Sequence, residues 1–222
     1  MRYAIIADIH SNTENLEKVL KHISSQDYIN EIICLGDIFD CKISKSELKT
    51  FCFRNIEQIV KIDFKLLSLL KSIKKVIGNQ EERIRKLIPT NYIPDNMIQY
   101  INAPQEINIK EACFIHGHHF EWLNPSESIW YPKINNVEKP LLIYGHNHQN
   151  ALFQLKKIKK GYIYKKIEIR LGKPIRLNFN HHYLVNIGDI RREKPSWALL
   201  DTKKQTIQYY QLDSCKKNIG NI

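Results

Sequence analysis

The sequence has no long apolar run. A membrane-spanning helix needs roughly 18 to 20 consecutive uncharged apolar residues, and no stretch of the 222 residues approaches that length. The apolar run at the start of the chain is interrupted by Asp8 and His10, and it lacks a small-residue cleavage site. We therefore expect no membrane span, and we predict that this run is a first β-strand and not a signal peptide.

Cysteine is scarce, and its spacing does not match a disulfide framework. The five cysteines are odd in number and include no C-x-x-C pair. This usage favours reduced thiols, because paired cysteines predominate in oxidising compartments. The sequence therefore predicts a cytoplasmic protein.

The sequence also lacks a glycine-, serine- or proline-rich linker and has no internal repeat. With a hydrophobic fraction of 43%, these absences predict a single domain over residues 1–222. Acidic residues are outnumbered by basic ones, and the net charge is +11. This charge is compatible with a polyanionic partner such as nucleic acid, but A+T-rich coding would also produce a chain rich in Lys, Ile and Asn.

What the sequence does contain is a series of short apolar runs, bounded by turn residues, that are typical of buried strands. These runs cover residues 2–8, 31–37, 74–79, 112–117, 141–146, 183–189, 196–201 and 206–212. Helical periodicity is found after a candidate capping box at Ser11–Glu14, and again over 45–60 and 64–73. Strands that alternate with helices in this way predict an α/β protein.

The segment from Leu155 to Arg176 is strongly basic. It holds nine basic residues and one acid, with Ile and Tyr alternating around Gly161. We predict a basic hairpin-like insertion over 155–176. It would serve either as a charged edge that discourages aggregation or as a basic wall that holds DNA or RNA near the active site.

Polar residues follow five of the predicted strands, at the point where each strand ends. The five strand ends read Asp8-x-His10, Gly36-Asp37, Gly78-Asn79, His116-Gly117-His118 and His146-x-His148. Because ligands of α/β sheets gather at the carboxyl ends of the strands, we expect these side chains to meet. Imidazole and carboxylate ligands suit Mn, Fe, Zn or Ni better than Mg or Ca alone. The motifs therefore predict a site for divalent transition metal ions.

The five motifs, in this order, resemble those of the calcineurin-like metallophosphoesterases, and most closely those of the small bacterial and archaeal phosphodiesterase branch. The resemblance implies an α/β fold: a four-layer α/β/β/α sandwich of two mixed sheets with the metal site at the carboxyl ends of the strands. It implies two metal ions, with manganese expected first and iron, zinc or nickel as alternatives. It also implies their ligands: Asp8, His10 and His148 for the first metal, Asn79, His116 and His146 for the second, and Asp37 bridging both.

The resemblance further implies hydrolysis of a small phosphorylated substrate, a phosphodiester in the first instance, by a hydroxide that bridges the metals. Asp37, Asn79 and His118 are the expected catalytic residues. The phosphatase branches carry a histidine after the asparagine of the third motif, where this chain has Gln80, which cannot deliver a proton. His118 is therefore predicted either to supply the proton or to line the pocket, and good leaving groups should be preferred.

Other functions stay open at this point. The same chemistry would serve a nuclease, or a hydrolase of nucleotides or polyphosphates. A non-catalytic scaffold of this fold is disfavoured, because all seven ligand positions are filled. Asp189 and Arg191 are expected to contact substrate, and Asp40 is expected to be a loop or helix-start carboxylate and not an eighth ligand.

Overall fold

The computed structural model describes residues 1–126 and 129–213. Its helices are α1 (Thr13–Ser24), α2 (Phe64–Leu70), α3 (Asn79–Leu87) and α4 (Asp95–Ile101). Its strands are β1 (Arg2–Ile6), β2 (Glu31–Cys34), β3 (Lys74–Lys75), β4 (Glu106–Asn108), β5 (Ala112–Ile115), β6 (Trp122–Ser126), β7 (Ile129–Pro132), β8 (Leu141–Tyr144), β9 (Asn150–Ile158), β10 (Gly161–Lys166), β11 (Pro174–Arg176), β12 (His182–Ile187), β13 (Ser196–Asp201) and β14 (Thr206–Gln211). Within the described ranges, no helix combines the length and apolar character needed to cross a bilayer.

The strands form two six-stranded mixed sheets and a separate β6–β7 hairpin. The first sheet has the order β11-β14-β13-β1-β2-β3, and the second has the order β10-β9-β12-β8-β5-β4. The strands β1, β2 and β3 run parallel in the first sheet, as do β5, β8 and β12 in the second. This arrangement confirms the predicted α/β class with two mixed sheets.

The core lies on both faces of the first sheet, as the side chains of β1 illustrate. Successive side chains of a strand point to opposite faces. Tyr3 and Ile5 therefore pack between the two sheets, in the same cluster as Phe114 of β5. Ala4 and Ile6 pack on the other face, against the helices. A strand buried on both faces reads as a continuous apolar run, which is what the sequence has here.

The two outer layers differ from each other. All four helices contribute to the cluster that covers the first sheet. The outer face of the second sheet is covered by the segment around the β6–β7 hairpin, whose Trp122 and Tyr131 pack against the cluster of Tyr144 and Phe153. In the described part of the chain this fourth layer is thus a hairpin, and the helices predicted there are absent. Pro125 and Pro132 disfavour a helix in this segment, because proline lacks the N–H donor.

The strands end earlier than predicted, because the polar residues after them leave the extended conformation. Asp8, Asp37 and His146 have φ values of 53°, 50° and 73°. This left-handed region is uncommon for residues other than glycine, although Asp, Asn and His enter it more readily than most. The candidate site residues are therefore carried by tight turns and not by the strands themselves.

Two helical predictions need correction. The helix expected over 45–60 is wrong: the segment has 3-10 turns at Glu47–Lys49 and Ile56–Gln58. The Asn55 side chain accepts the Gln58 N–H, and such local bonds compete with a continuous helix. The α1 helix is capped by Asn12, which accepts the Asn15 N–H, so the cap lies one residue after the predicted cap Ser11. The helices α3 and α4 were not predicted.

The basic segment over 155–176 contributes strands to both sheets. The strands β9 and β10 form an antiparallel hairpin, but β9 begins at Asn150 and also pairs with β12 of the core sheet. Residues Pro174–Arg176 then join the other sheet beside β14. The end of the hairpin, which we call the hairpin tip, consists of Lys156, Lys157, Lys159 and Lys160.

Candidate metal centre

The polar strand ends are held together by hydrogen bonds between neighbouring turns. Asp8 donates its backbone N–H to the Gly36 carbonyl at 3.1 Å, and His10 donates its own to the Asp37 carbonyl at 2.9 Å. The turns after β1 and β2 are thereby fixed side by side. A Cβ added at Gly145 would lie 2.5 Å from the Asp8 carboxylate, so glycine is required for β8 to end this close to β1.

Asp8, His10 and His148 form a first group, whose candidate ligand atoms all lie within 4.8 Å of one another. Asp8 Oδ1 and His10 Nε2 are buried and have no hydrogen-bond partner. The Nε2 atom of His148 lies 3.9 Å from Asp8 Oδ1. An unsatisfied buried polar atom costs about 1 to 3 kcal/mol. These atoms are thus arranged as ligands of a cation would be.

Asp37, His116 and His146 form a second group, whose candidate ligand atoms also lie within 4.8 Å of one another, and Asn79 joins it. His116 Nε2 lies 3.1 Å from Asn79 Oδ1 and 3.2 Å from His146 Nδ1. These atoms come from α3, the end of β5 and the end of β8. With Asp37 from the turn after β2, the second group therefore assembles from four elements.

Asp37 lies between the two groups and faces both. Its Oδ2 atom is 3.6 Å from His10 Nε2 in the first group. Its Oδ1 atom is 3.4 Å from His116 Nε2 in the second. The Asp37 side chain is 3% exposed, so water cannot readily replace either contact. One carboxylate therefore directs one oxygen toward each group, which is the arrangement of a bridging ligand.

Three of the histidines are held by acceptors on the side of the ring away from the centre. The Nδ1 atom lies 2.6 Å from an Asp40 oxygen in His10, 2.7 Å from an Asp189 oxygen in His148, and 2.8 Å from the Leu35 carbonyl in His116. Because these partners can only accept, each Nδ1 must carry the proton. The opposite Nε2 of a neutral ring then presents its lone pair to the centre, as in metal sites whose histidines are oriented by carboxylates or carbonyls.

This donor set fits divalent transition metals. Lone pairs of imidazole nitrogens and carboxylate or amide oxygens converge at about 3 to 4 Å from one another, which is repulsive unless a cation or proton lies between them. Asp37 raises the pKa of His116 to about 9 despite burial, and burial with the nearby His116 lowers the pKa of His146 to about 3. A metal at the second group would therefore displace a proton from His116.

Glu81 fixes the turn that carries Asp37. Its side chain is completely buried, and its two oxygens accept the backbone N–H groups of Asp37, Ile38, Phe39 and Gly78 at 2.8 to 3.0 Å. A Cβ at Gly78 would overlap Asp37 Oδ1. The carboxylate and the glycine together hold β2 and the start of α3 against each other.

His118 belongs to a third cluster beside the centre, with Glu82 and His119. His118 Nε2 and His119 Nε2 each lie 3.2 Å from Glu82 Oε1. Burial and the neighbouring His116 lower the pKa of His118 to about 4, so its ring is neutral near pH 7. Gln80 is turned toward the loop after β2, where its Oε1 accepts the Cys41 N–H at 3.1 Å.

All seven predicted ligands thus come together in two groups that share Asp37. Sequence reasoning missed the roles of Asp40 and Asp189, which bond histidines. Asp189 is 3% exposed and contacts His148, so it is not placed to contact substrate as expected. The signal that could have found both residues is their position: Asp40 follows Asp37 by three residues, and Asp189 follows the end of β12.

The fold and the two groups of His and Asp side chains at its strand ends define an α/β protein with a candidate two-metal centre. Residues 1–205 match the calcineurin-like phosphoesterase superfamily domain. The chain belongs to this superfamily, and the match supports a phosphoester hydrolase. A search of curated protein sequences finds no significant match.

One solved structure shows the same fold, and two further structures match over most of the chain at lower TM-scores. A metallophosphoesterase from Sphaerobacter thermophilus has 19% identity and a TM-score of 0.60, with 96% of this chain and 89% of that chain covered. A candidate diadenosine tetraphosphatase has 15% identity and a TM-score of 0.48, with 95% and 93% covered. Vps29 of Chaetomium thermophilum has 12% identity and a TM-score of 0.42, with 96% and 97% covered.

Proposed function

We propose that this protein is a phosphodiesterase that depends on two divalent transition metal ions. The observation that carries the proposal is the position of Asp37, whose two oxygens face one ligand group each at 3.6 and 3.4 Å. The first metal would be held by Asp8, His10 and His148. The second would be held by Asn79, His116 and His146, and Asp37 would be a ligand of both.

When bound, such a pair of cations lowers the pKa of a water molecule toward neutrality and offsets the charge that builds on the phosphate oxygens. The chain's contribution is to hold the ligands rigidly. Asp40, Asp189 and the Leu35 carbonyl fix the histidine rings in the tautomer that leaves Nε2 free. Glu81 keeps the Asp37 turn in register, so little reorganisation is needed when substrate binds.

The reaction adds water across a P–O ester bond, which yields a phosphomonoester and an alcohol. Gln80 bonds Cys41 through its side-chain oxygen, and an amide cannot protonate a leaving group. We therefore expect diesters with acidic leaving groups to be cleaved faster than alkyl monoesters. For His118, the contact with Glu82 supports the pocket-lining role more than the proton-donor role.

Manganese is the metal that we expect to support activity best, with iron, zinc or nickel as alternatives. The free thiols of Cys34, Cys41, Cys52 and Cys113 support the predicted cytoplasmic location, and Cys215 lies outside the described residues. The alternative of a nuclease whose basic hairpin holds the strand is less well supported. The tip of that hairpin lies at the end of β9 opposite to Asn150, which is next to the candidate centre.

The proposal is tested with bis-p-nitrophenyl phosphate, a diester with good leaving groups. Protein stripped with a chelator and dialysed is assayed before and after addition of Mn²⁺, and its metal content is measured in parallel. We expect activity to disappear on chelation and to return with Mn²⁺. Asp27 is an exposed carboxylate at the opposite end of β2 from Asp37. The variant Asp27→Asn is assayed in the same way as a control, and it should lose and regain activity as wild type does. Full activity in the stripped protein would refute a metal-dependent phosphodiesterase.

A further inference from the structure

A cavity of about 280 Å³ opens beside the second ligand group. Its lining includes Asn79 and His146, two of the candidate ligands. The lining also includes three cations, Lys45, Arg83 and Lys86. A phosphate bound at the candidate metals would therefore lie next to a space bordered by three cations. We call this space the basic cavity.

The cations reach the cavity from two elements. Asn79, Arg83 and Lys86 lie on one face of α3, since residues spaced by three and four positions share a helix face. At 1.5 Å of rise per residue, Arg83 and Lys86 lie roughly 6 and 10 Å beyond Asn79 along the axis. Lys45 comes from the loop after β2, and Arg83 ties that loop to α3 by donating from Nη1 to the Ile43 carbonyl at 3.2 Å.

The positive charge of the basic cavity exceeds the negative charge of the protein groups that line it, which are three cations and one carboxylate. Across residues 1–126 and 129–213, no salt bridge involves Lys45, Arg83 or Lys86. The one carboxylate in the lining is Glu82, and its Oε1 is already engaged. It accepts the Gln105 side-chain N–H at 2.9 Å and lies 3.2 Å from His119 Nε2. An anion in this cavity would therefore meet three cations that form no salt bridge with the described part of the protein.

We propose that the basic cavity binds a second phosphate of the substrate, so that the substrate is a phosphoester with a pyrophosphate or longer polyphosphate linkage. This inference rests on the proposed metal-dependent hydrolysis and extends it from ester bonds to the phosphoanhydride bond between two phosphates. The cavity volume is below the roughly 300 to 1,000 Å³ of typical ligand pockets. It can take phosphate groups but not a nucleoside, which would lie on the open surface outside.

The proposal also accounts for Gln80. The water oxygen forms a new bond to the phosphorus at the candidate centre, and the bridging P–O bond breaks. The bridging oxygen keeps the electron pair and leaves with the second phosphate in the cavity. One proton of the water is taken up by that phosphate and the other is released to solvent. Because phosphate is a good leaving group, the reaction does not need the general acid that Gln80 cannot supply.

The first experiment measures binding and does not depend on activity. Calorimetry records the binding of inorganic tripolyphosphate to the metal-stripped protein, in wild type and in Lys86→Ala and Arg83→Gln variants. The matched control is Arg85→Ala, because Arg85 is an exposed cation of the same helix that does not line the cavity. The loss of one hydrogen bond between a cation and the phosphate should weaken tripolyphosphate binding on the order of 10-fold. Arg85→Ala should leave binding unchanged.

The second experiment compares substrates in the Mn²⁺-loaded protein. For Lys86→Ala, we expect kcat/KM to fall about 10-fold more with a nucleoside triphosphate than with bis-p-nitrophenyl phosphate, which has no second phosphate. Equal losses in Lys86→Ala and Arg85→Ala would overturn the proposal, since general charge would then explain them. A larger effect on a single-stranded oligonucleotide than on tripolyphosphate would also overturn it, in favour of a nucleic-acid site. If no substrate is hydrolysed but the binding pattern holds, the proposed catalysis fails and the phosphate cavity stands.

Discussion

Two basic regions of this protein differ in what surrounds their charges. The basic cavity has three cations, and it shares its wall with Asn79 and His146 of the candidate centre. The hairpin tip has four lysines, all of them exposed. The tip lies at the far end of β9, a nine-residue strand, which places it roughly 25 to 30 Å from the strand end at Asn150.

The density of positive charge along the sequence therefore does not identify where an anion binds in the folded protein. The four lysines of the hairpin tip lie within five residues of sequence. Lys156 and Lys157 are neighbours in β9 and therefore point to opposite faces of the sheet, so the charges do not converge. The cations of the basic cavity are spread from Lys45 to Lys86, and the fold brings them together. We infer that the hairpin tip is a charged edge that protects the sheet from aggregation.

If the candidate centre is the functional end of the molecule, the largest effect belongs to Asp37→Asn. The substitution removes charge from the carboxylate that faces both ligand groups. Metal-assisted stabilisation of the transition state is worth several kcal/mol, so kcat/KM for bis-p-nitrophenyl phosphate should fall on the order of 1,000-fold. The Asp27→Asn control should retain its rate. A variant that melts like wild type and keeps more than a tenth of the activity would argue against a bridging role.

The next effect is a dependence of metal affinity on pH. In the metal-free protein Asp37 holds the pKa of His116 at about 9 against the effect of burial, so at neutral pH a metal must displace one proton. The affinity for Mn²⁺ should therefore fall about tenfold for each unit by which the pH is lowered, or about 100-fold from pH 8 to pH 6.

Calorimetry in buffers with different ionisation enthalpies measures the number of protons released. We expect a release of about one proton per metal at the second group near neutral pH. An affinity that stays constant over this range, with no proton released, would mean that His116 is not a ligand.

A smaller effect is expected from the residues that orient the histidines. Asp189→Asn and Asp40→Asn remove the acceptors at 2.7 Å from His148 and 2.6 Å from His10. Changes of this kind typically cost about 10- to 100-fold in metal affinity or activity. Because the ligands themselves remain, excess Mn²⁺ should restore most of the rate. A loss that excess metal does not reverse would place these residues in substrate binding instead.

Features of the fold and of the candidate site could be predicted where they depend on residues that are close in sequence. The ligands could be predicted because each one lies within four residues of the end of a strand, and parallel strands end at one edge. The position of Asp40 and Asp189 after strand ends is visible in the sequence, but the roles of Asp40, Asp189 and Glu81 could not be predicted, because their contacts depend on how separate turns pack. The helix expected over 45–60 does not form. The Asn55 side chain makes a competing hydrogen bond, which the spacing of apolar residues does not reveal.

The smallest effect is expected at the hairpin tip. Substituting its four lysines by alanine removes exposed charges far from the centre. Isolated surface charges contribute little. We therefore expect kcat/KM for bis-p-nitrophenyl phosphate and the affinity for tripolyphosphate to change less than about 2-fold. A loss near that of Lys86→Ala would erase the difference between the two basic regions and revive the predicted basic wall.

Electron paramagnetic resonance of the Mn²⁺-loaded protein tests most directly whether Asp37 bridges two metal ions. Two Mn²⁺ ions joined by a shared carboxylate interact magnetically, whereas isolated ions do not. We predict an exchange-coupled spectrum in wild type at two Mn²⁺ per chain, and its loss in Asp37→Asn. A spectrum of uncoupled Mn²⁺ in the fully loaded wild-type protein, unchanged by Asp37→Asn, would contradict the two-metal centre.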